Sequence, residues 1–142
     1  ALGYSNYVLI PVQGSAMDAE GATNVIELLQ YLEDRADIRI PHSVVLTRVN
    51  PMVTTRALQS VKELLSSRRV HVMSTPIIER AAYREVFGYG QTLYSIDPGT
   101  VSNLDKAQQN AQALAQEVLR RILPYSGRVG EQLKAEGFRL SA

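Results

Sequence analysis

Cysteine and tryptophan are both absent from this chain of 142 residues. Without cysteine there are no disulfides and no thiolate metal sites, which fits a cytoplasmic protein. Long hydrophobic runs are absent too. The longest, Tyr7 to Val12, is far below the roughly 20 apolar residues that span a bilayer, so no membrane is expected as a partner. Charge of one sign is not in excess: a formal net charge of +1 gives no global field to attract nucleic acid, so DNA binding would need a local patch. Finally, no G-x-x-x-x-G-K-[ST] occurs, and no pair of close glycines joins a strand to a helix. A triphosphate would find no phosphate loop here.

What is present reads as one globular domain, with 45% hydrophobic and 20% charged residues. Tyr7 to Gln13 predicts a strand covered on both faces, because its apolar run is continuous rather than alternating. Ser15 or Asp18 can cap the following helix, whose Val25, Ile26, Leu28, Leu29 and Leu32 share a broad face as far as about Arg35. Ser43 to Val49 predicts a second strand, broken by Asn50-Pro51. Thr54 or Thr55 can cap a second helix with Leu58, Val61, Leu64 and Leu65 at helical spacing, ending at Arg68-Arg69. Val70 to Ser74 predicts a short third strand before Pro76. Ile77 to Phe87 predicts a helix stopped by Gly88-Tyr89-Gly90, and Leu93 to Ile96 an extended piece ended by Asp97-Pro98-Gly99. Val101 to Leu123 predicts the longest helix, striped by Leu104, Ala107, Ala111, Leu114, Val118 and Ile122. Residues 124–142 predict a polar tail or short helix, leaving 1–123 as the α/β unit.

Strands alternating with helices imply right-handed crossovers and a mostly parallel, partial doubly wound sheet with helices on both faces. Three or four strands are few for a complete nucleotide-binding sheet, so one edge is expected to be missing or supplied by another chain. An exposed edge favours association, and a homo-oligomer is expected.

Several residues carry two readings. Arg56, Arg80 and Arg84 are solvated helix residues or DNA contacts, and Arg68-Arg69 and Arg120-Arg121 are helix terminators or phosphate ligands. His42 and His71 have no partner at ligand spacing, so no metal site is expected. Asp18 and Glu20 lie near a helix start, where acidic groups stabilise the dipole, and no catalytic residue is assigned. Tyr83, Phe87, Tyr89 and Tyr94 are core or rim residues, or stacking surfaces.

The blocks VLIPVQGSAMDAEGATNVIELLQ, VVLTRVNP and TPIIERAAYREVFGYGQTLYSIDP, followed by a long closing helix, resemble in order and spacing the C-terminal half of the ParA/MinD family of deviant P-loop ATPases. The likeness is nearest to the plasmid-type ParA partition proteins and runs over residues 5 to 123. It implies a P-loop NTPase-like fold lacking its N-terminal half, ATP and magnesium as cofactors of the intact family, non-specific DNA binding by an ATP-dependent dimer, and a centromere-binding adaptor as partner. By position, Thr47 and the segment Thr75, Pro76 and Ile77 fall in the nucleotide-base region. Thr47 has no carboxamide with which to read an adenine edge. Arg80 and Arg84 resemble the family's Arg-x-x-x-x-Glu block ahead of a glycine, here Gly90. With Lys106, Arg120 and Arg121 they are the candidates for weak DNA binding. The phosphate loop, its lysines, the magnesium-binding hydroxyl and the strand with the catalytic aspartate have no counterpart, so no cofactor is expected in this chain and no ATPase activity from it alone. The resemblance therefore implies the DNA- and partner-binding portion of a partition ATPase; a catalytically inactive interaction or self-association module is the alternative.

Overall fold

In the computed structural model, which describes residues 5–125, the apolar run at the start becomes β1 (Val8–Val12) and lies parallel to β2 (His42–Leu46), with Ile10 opposite Val44. Between them runs α1 (Ala16–Ala36). Ser15 caps α1: its hydroxyl accepts the Asp18 N–H at 3.2 Å and donates its own proton to the Asp18 carboxylate. After β2 come α2 (Arg56–Ser67), capped by the Thr55 hydroxyl on the Leu58 N–H at 3.1 Å, then α3 (Ala81–Gly88), α4 (Leu104–Ile122) and a 3-10 turn, Leu123–Tyr125.

The main core lies where α1 and α2 cover one face of the strands. Ile10, Val12, Val44 and Leu46 alternate toward Ile26, Leu29, Leu58, Val61 and Leu65, and Ile26 and Val44 are fully buried. Full burial of such side chains stabilises by about 1.5–3 kcal/mol each. On the opposite face Ser43 and Val45 are buried, whereas their β1 neighbours Leu9 and Pro11 are exposed. The strand predicted to be covered on both faces is thus covered on one. In α1, Leu28 belongs to the broad face expected from the sequence but is 46% exposed. A second cluster joins α3 to α4 through Ala82, Val86, Ile96, Val101, Leu104 and Ala107. Of the stripe predicted for α4 only Leu104 and Ala107 are buried; Ala111, Leu114, Val118 and Ile122 are half-buried.

Four predicted elements differ. The expected third strand, Val70 to Ser74, is not a ladder. The chain meets β2 and its extension at two isolated parallel bridges, Val44 with Val72 and Val49 with Ile78. Between them residues 74–76 bulge outward, because the Met73 N–H bonds the Val44 carbonyl and the Ile77 N–H the Leu46 carbonyl, placing three residues against Val45 alone. The helix expected from Ile77 begins only at Ala81. Ile77 and Glu79 exchange main-chain bonds with Val49, and that pairing requires extended backbone through Arg80. The extended piece expected over Leu93 to Ile96 is a turn, in which the Ser95 and Ile96 N–H groups bond the Thr92 carbonyl. The helix expected to be the longest starts at Leu104 rather than Val101, because Asn103 adopts a left-handed conformation with φ 53, and its 19 residues fall short of the 21 of α1. Among the described residues the sheet has two strands, and the structure is α/β with four α-helices. The predicted tail beyond residue 125 lies outside the described residues.

Candidate nucleotide-end crevice and cationic surfaces

Parallel strands that cross over through helices leave a crevice beyond their C-terminal ends, where such sheets bind ligands. Here β1 and β2 end at a crevice of about 650 Å³ lined by Gly14, Ser15, Thr47, Arg48, Glu79 and Arg84, among others. Gly14 turns the chain from β1 into α1 so tightly that a Cβ there would sit 3.2 Å from Leu58 Cβ. That approach sets the capped N-terminus of α1 beside that of α2, since Ser15 and Thr55 both line the crevice. Two helix N-termini, each equivalent to roughly half a positive charge, favour an anionic group in this space.

Thr47 stands at the floor, half-buried, its N–H bonded to the Val12 carbonyl at 2.8 Å. The next residue, Arg48, adopts φ 53, a left-handed conformation that costs a non-glycine residue about 1–2 kcal/mol. Its guanidinium meets one oxygen of Glu79 at 2.7 Å while Arg84 meets the other at 2.7 Å. The Arg48 hydrogen bond, aided by the charges of Arg48 and Arg84, holds the Glu79 carboxyl below the usual carboxylate range. The crevice rim therefore carries two arginines bridged by one carboxylate, with a cation in excess. Arg48 and Glu79 were not among the sequence candidates; the sign of Arg48 was its place between the strand end and the Asn50-Pro51 break.

The other part of the predicted base region lies apart from Thr47. Thr75 borders a separate hollow with Ser74, Glu117, Arg120 and Arg121. The Ser74 and Thr75 N–H groups are both donated to Glu117, at 2.7 and 2.8 Å. Asn110 donates to the Pro76 carbonyl at 2.8 Å and accepts from the Ile78 N–H at 3.0 Å and the Tyr83 hydroxyl at 3.1 Å. The Ile77 N–H and carbonyl are used by Leu46 and Val49. Asn110 and Glu117, seven residues apart and so on one face of α4, were also missed. Two polar side chains near an apolar stripe were the only signal.

These contacts set the direction of α4. Asn110 meets residues 76 and 78, Glu117 meets 74 and 75, and Arg121 meets His71, so the helix runs against the strands. Lys106, exposed on its first turn, and the exposed pair Arg120-Arg121 at its end are about 21 Å apart along the axis. Arg84 is at the crevice. Arg80 precedes α3, half-buried, and its Nε has no hydrogen-bond partner. The five cationic candidates thus divide between two ends of the sheet. Among the described residues no cluster of His, Cys, Asp or Glu could hold a metal, and no helix is long and apolar enough to cross a membrane.

No protein-family model matches the chain. Over 122 residues, 86% of its length, it is 30% identical to a Rhizobium radiobacter protein named Protein ParA, of which it spans 54%. The chain thus spans about half the length of the relative it matches.

Proposed function

We propose that this ParA-like chain is the C-terminal portion of a partition ATPase that segregates plasmid or chromosomal DNA in the cytoplasm. The similarity to Protein ParA over most of the chain carries this reading. On it, the two strands and their helices are part of a doubly wound, P-loop NTPase-like sheet. The crevice at Thr47 is the base end of a nucleotide site, favoured by the two helix N-termini and the excess arginine at its rim. Triphosphate binding and hydrolysis then need a phosphate loop from outside these 142 residues, and magnesium enters with it. Arg80, Arg84 and Lys106 supply DNA contacts near the crevice end, with Arg120 and Arg121 contributing from the far end of α4. Contacts of that type act on phosphates and carry no base information, so the binding is weak and independent of sequence. A centromere-binding adaptor is the partner that the reading adds.

The test is fluorescence anisotropy of unrelated duplexes at low salt. Binding should be similar on each and should weaken equally on all when Arg80 and Arg84 are both replaced by Ala. Absence of binding at low salt removes the DNA role. A second reading, an inactive self-association module, rests on the exposed Leu9 and Pro11 face of β1. It expects a dimer or larger species by light scattering, with no DNA retention.

A further inference from the structure

The N-terminal ends of β1 and β2 open on another basin, of about 800 Å³ and with no lining residue in common with the Thr47 crevice. Three separate connections deliver cations to it: Arg39 from the turn before β2, Arg69 from the end of α2, and Arg120 with Arg121 from the end of α4. Among the described residues Glu33 is the only carboxylate in the lining. It faces Arg39 at 3.5 Å with the two side chains 51% and 84% exposed, so water competes freely for that pair. Arg69 and Arg120 make no ion pair among the described residues. Helix C-termini contribute roughly half a negative charge each; three of them here, with Glu33, still leave the basin positive.

Its floor is a hydrogen-bonded chain. The fully buried Ser43 hydroxyl lies 2.6 Å from the Tyr7 hydroxyl and 2.8 Å from His71 Nδ1, and the Arg121 guanidinium contacts His71 Nε2. A guanidinium only donates, so Nε2 accepts and Nδ1 carries the imidazole proton toward Ser43. Arg121 is therefore oriented by a neutral partner. A carboxylate in that place would have neutralised it; an imidazole leaves its full charge for a ligand.

We propose that this basin binds a small phosphate-bearing anion, held by Arg69, Arg120 and the His71-oriented Arg121. This site is separate from the nucleotide crevice and does not depend on the DNA reading. Planar guanidinium forks match phosphate oxygens in pairs, which favours phosphate over a simple halide.

Calorimetric titration of the 142-residue chain with pyrophosphate tests it. Saturable binding is expected. The double variant Arg69→Ala, Arg120→Ala should weaken it about tenfold or more, whereas Arg80→Ala, Arg84→Ala should leave it unchanged. The charge-keeping double variant Arg69→Lys, Arg120→Lys, which keeps the charge but loses the planar forks, should bind more weakly than the parent and more tightly than the alanine pair, and guards against a loss caused by misfolding. No saturable heat, or equal loss in the Arg80, Arg84 variant, overturns the site. A duplex that needs Arg69 and Arg120 while pyrophosphate does not bind would also overturn it. In that last case the DNA reading would stand with its surface moved to this end of the sheet.

Discussion

The carboxylate of Glu117 accepts the main-chain N–H of Thr75 at 2.8 Å, 42 residues away in sequence. With the adjacent Ser74 N–H on its other oxygen, it closes the bulge that replaces a third strand. Burial pushes the Glu117 pKa up, but the Ser74 and Thr75 donors and the nearby His71 outweigh it, leaving the carboxyl below its ordinary range. Glu117→Gln, which keeps one acceptor oxygen, should cost about 1 kcal/mol and Glu117→Ala about 1–3 kcal/mol. Urea unfolding with both midpoints unchanged would show that the bulge holds without this clamp.

Stability should fall as pH drops through the histidine range. Burial is the main reason that the His71 pKa lies below 6.5, and the Arg121 charge adds to it against the opposing Glu117. The folded chain then takes up this proton less readily than the unfolded chain. Its stabilising effect is complete above the unfolded value, declines as pH falls through 6.5, and levels off below the folded pKa. Glu117 acts later in the same direction, its contribution lost as pH falls below 4.5 toward its lowered pKa. Urea midpoints against pH measure this, and His71→Gln should remove the decline near neutrality while keeping the acid limb.

Two helix ends differ in one residue. Past α3, Gly90 at φ 62 lets the Gln91 N–H reach the Val86 carbonyl; past α2, Arg69 at φ 56 does the same for Val70 and Leu65. Both are left-handed helix stops of the Schellman type. Gly90→Ala should destabilise by about 1 kcal/mol, and Arg69→Gly should stabilise by up to about 1 kcal/mol. Thermal melts of the two variants moving the same way would contradict this.

The apolar face of α1 should divide sharply. Ile26 is fully buried against the strands while Leu28 is 46% exposed, so Ile26→Ala should cost about 2–5 kcal/mol and Leu28→Ala within about 0.5 kcal/mol. Chemical denaturation compares them directly.

By itself the sequence determined the local grammar. The apolar run of β1, the caps Ser15 and Thr55, the helical spacing of Leu58, Val61 and Leu65, and the stop at Gly90 follow from dihedral preference and periodicity, which act within a few residues. The block order was likewise legible, and it pointed to the ParA-like reading that the Rhizobium radiobacter protein supports. Tertiary structure decided the rest. Val72 and Ile78 have strand-like composition, but their pairing partners lie on β2 and just past it, and the polar groups between them are claimed by Asn110 and Glu117 on a helix more than 30 residues away. Which arginines share a surface was decided in the same way. Arg84 joins Arg48 through Glu79, and Arg120 joins Arg69 at the other end of the sheet, because the direction of α4 depends on contacts that no short window of sequence contains.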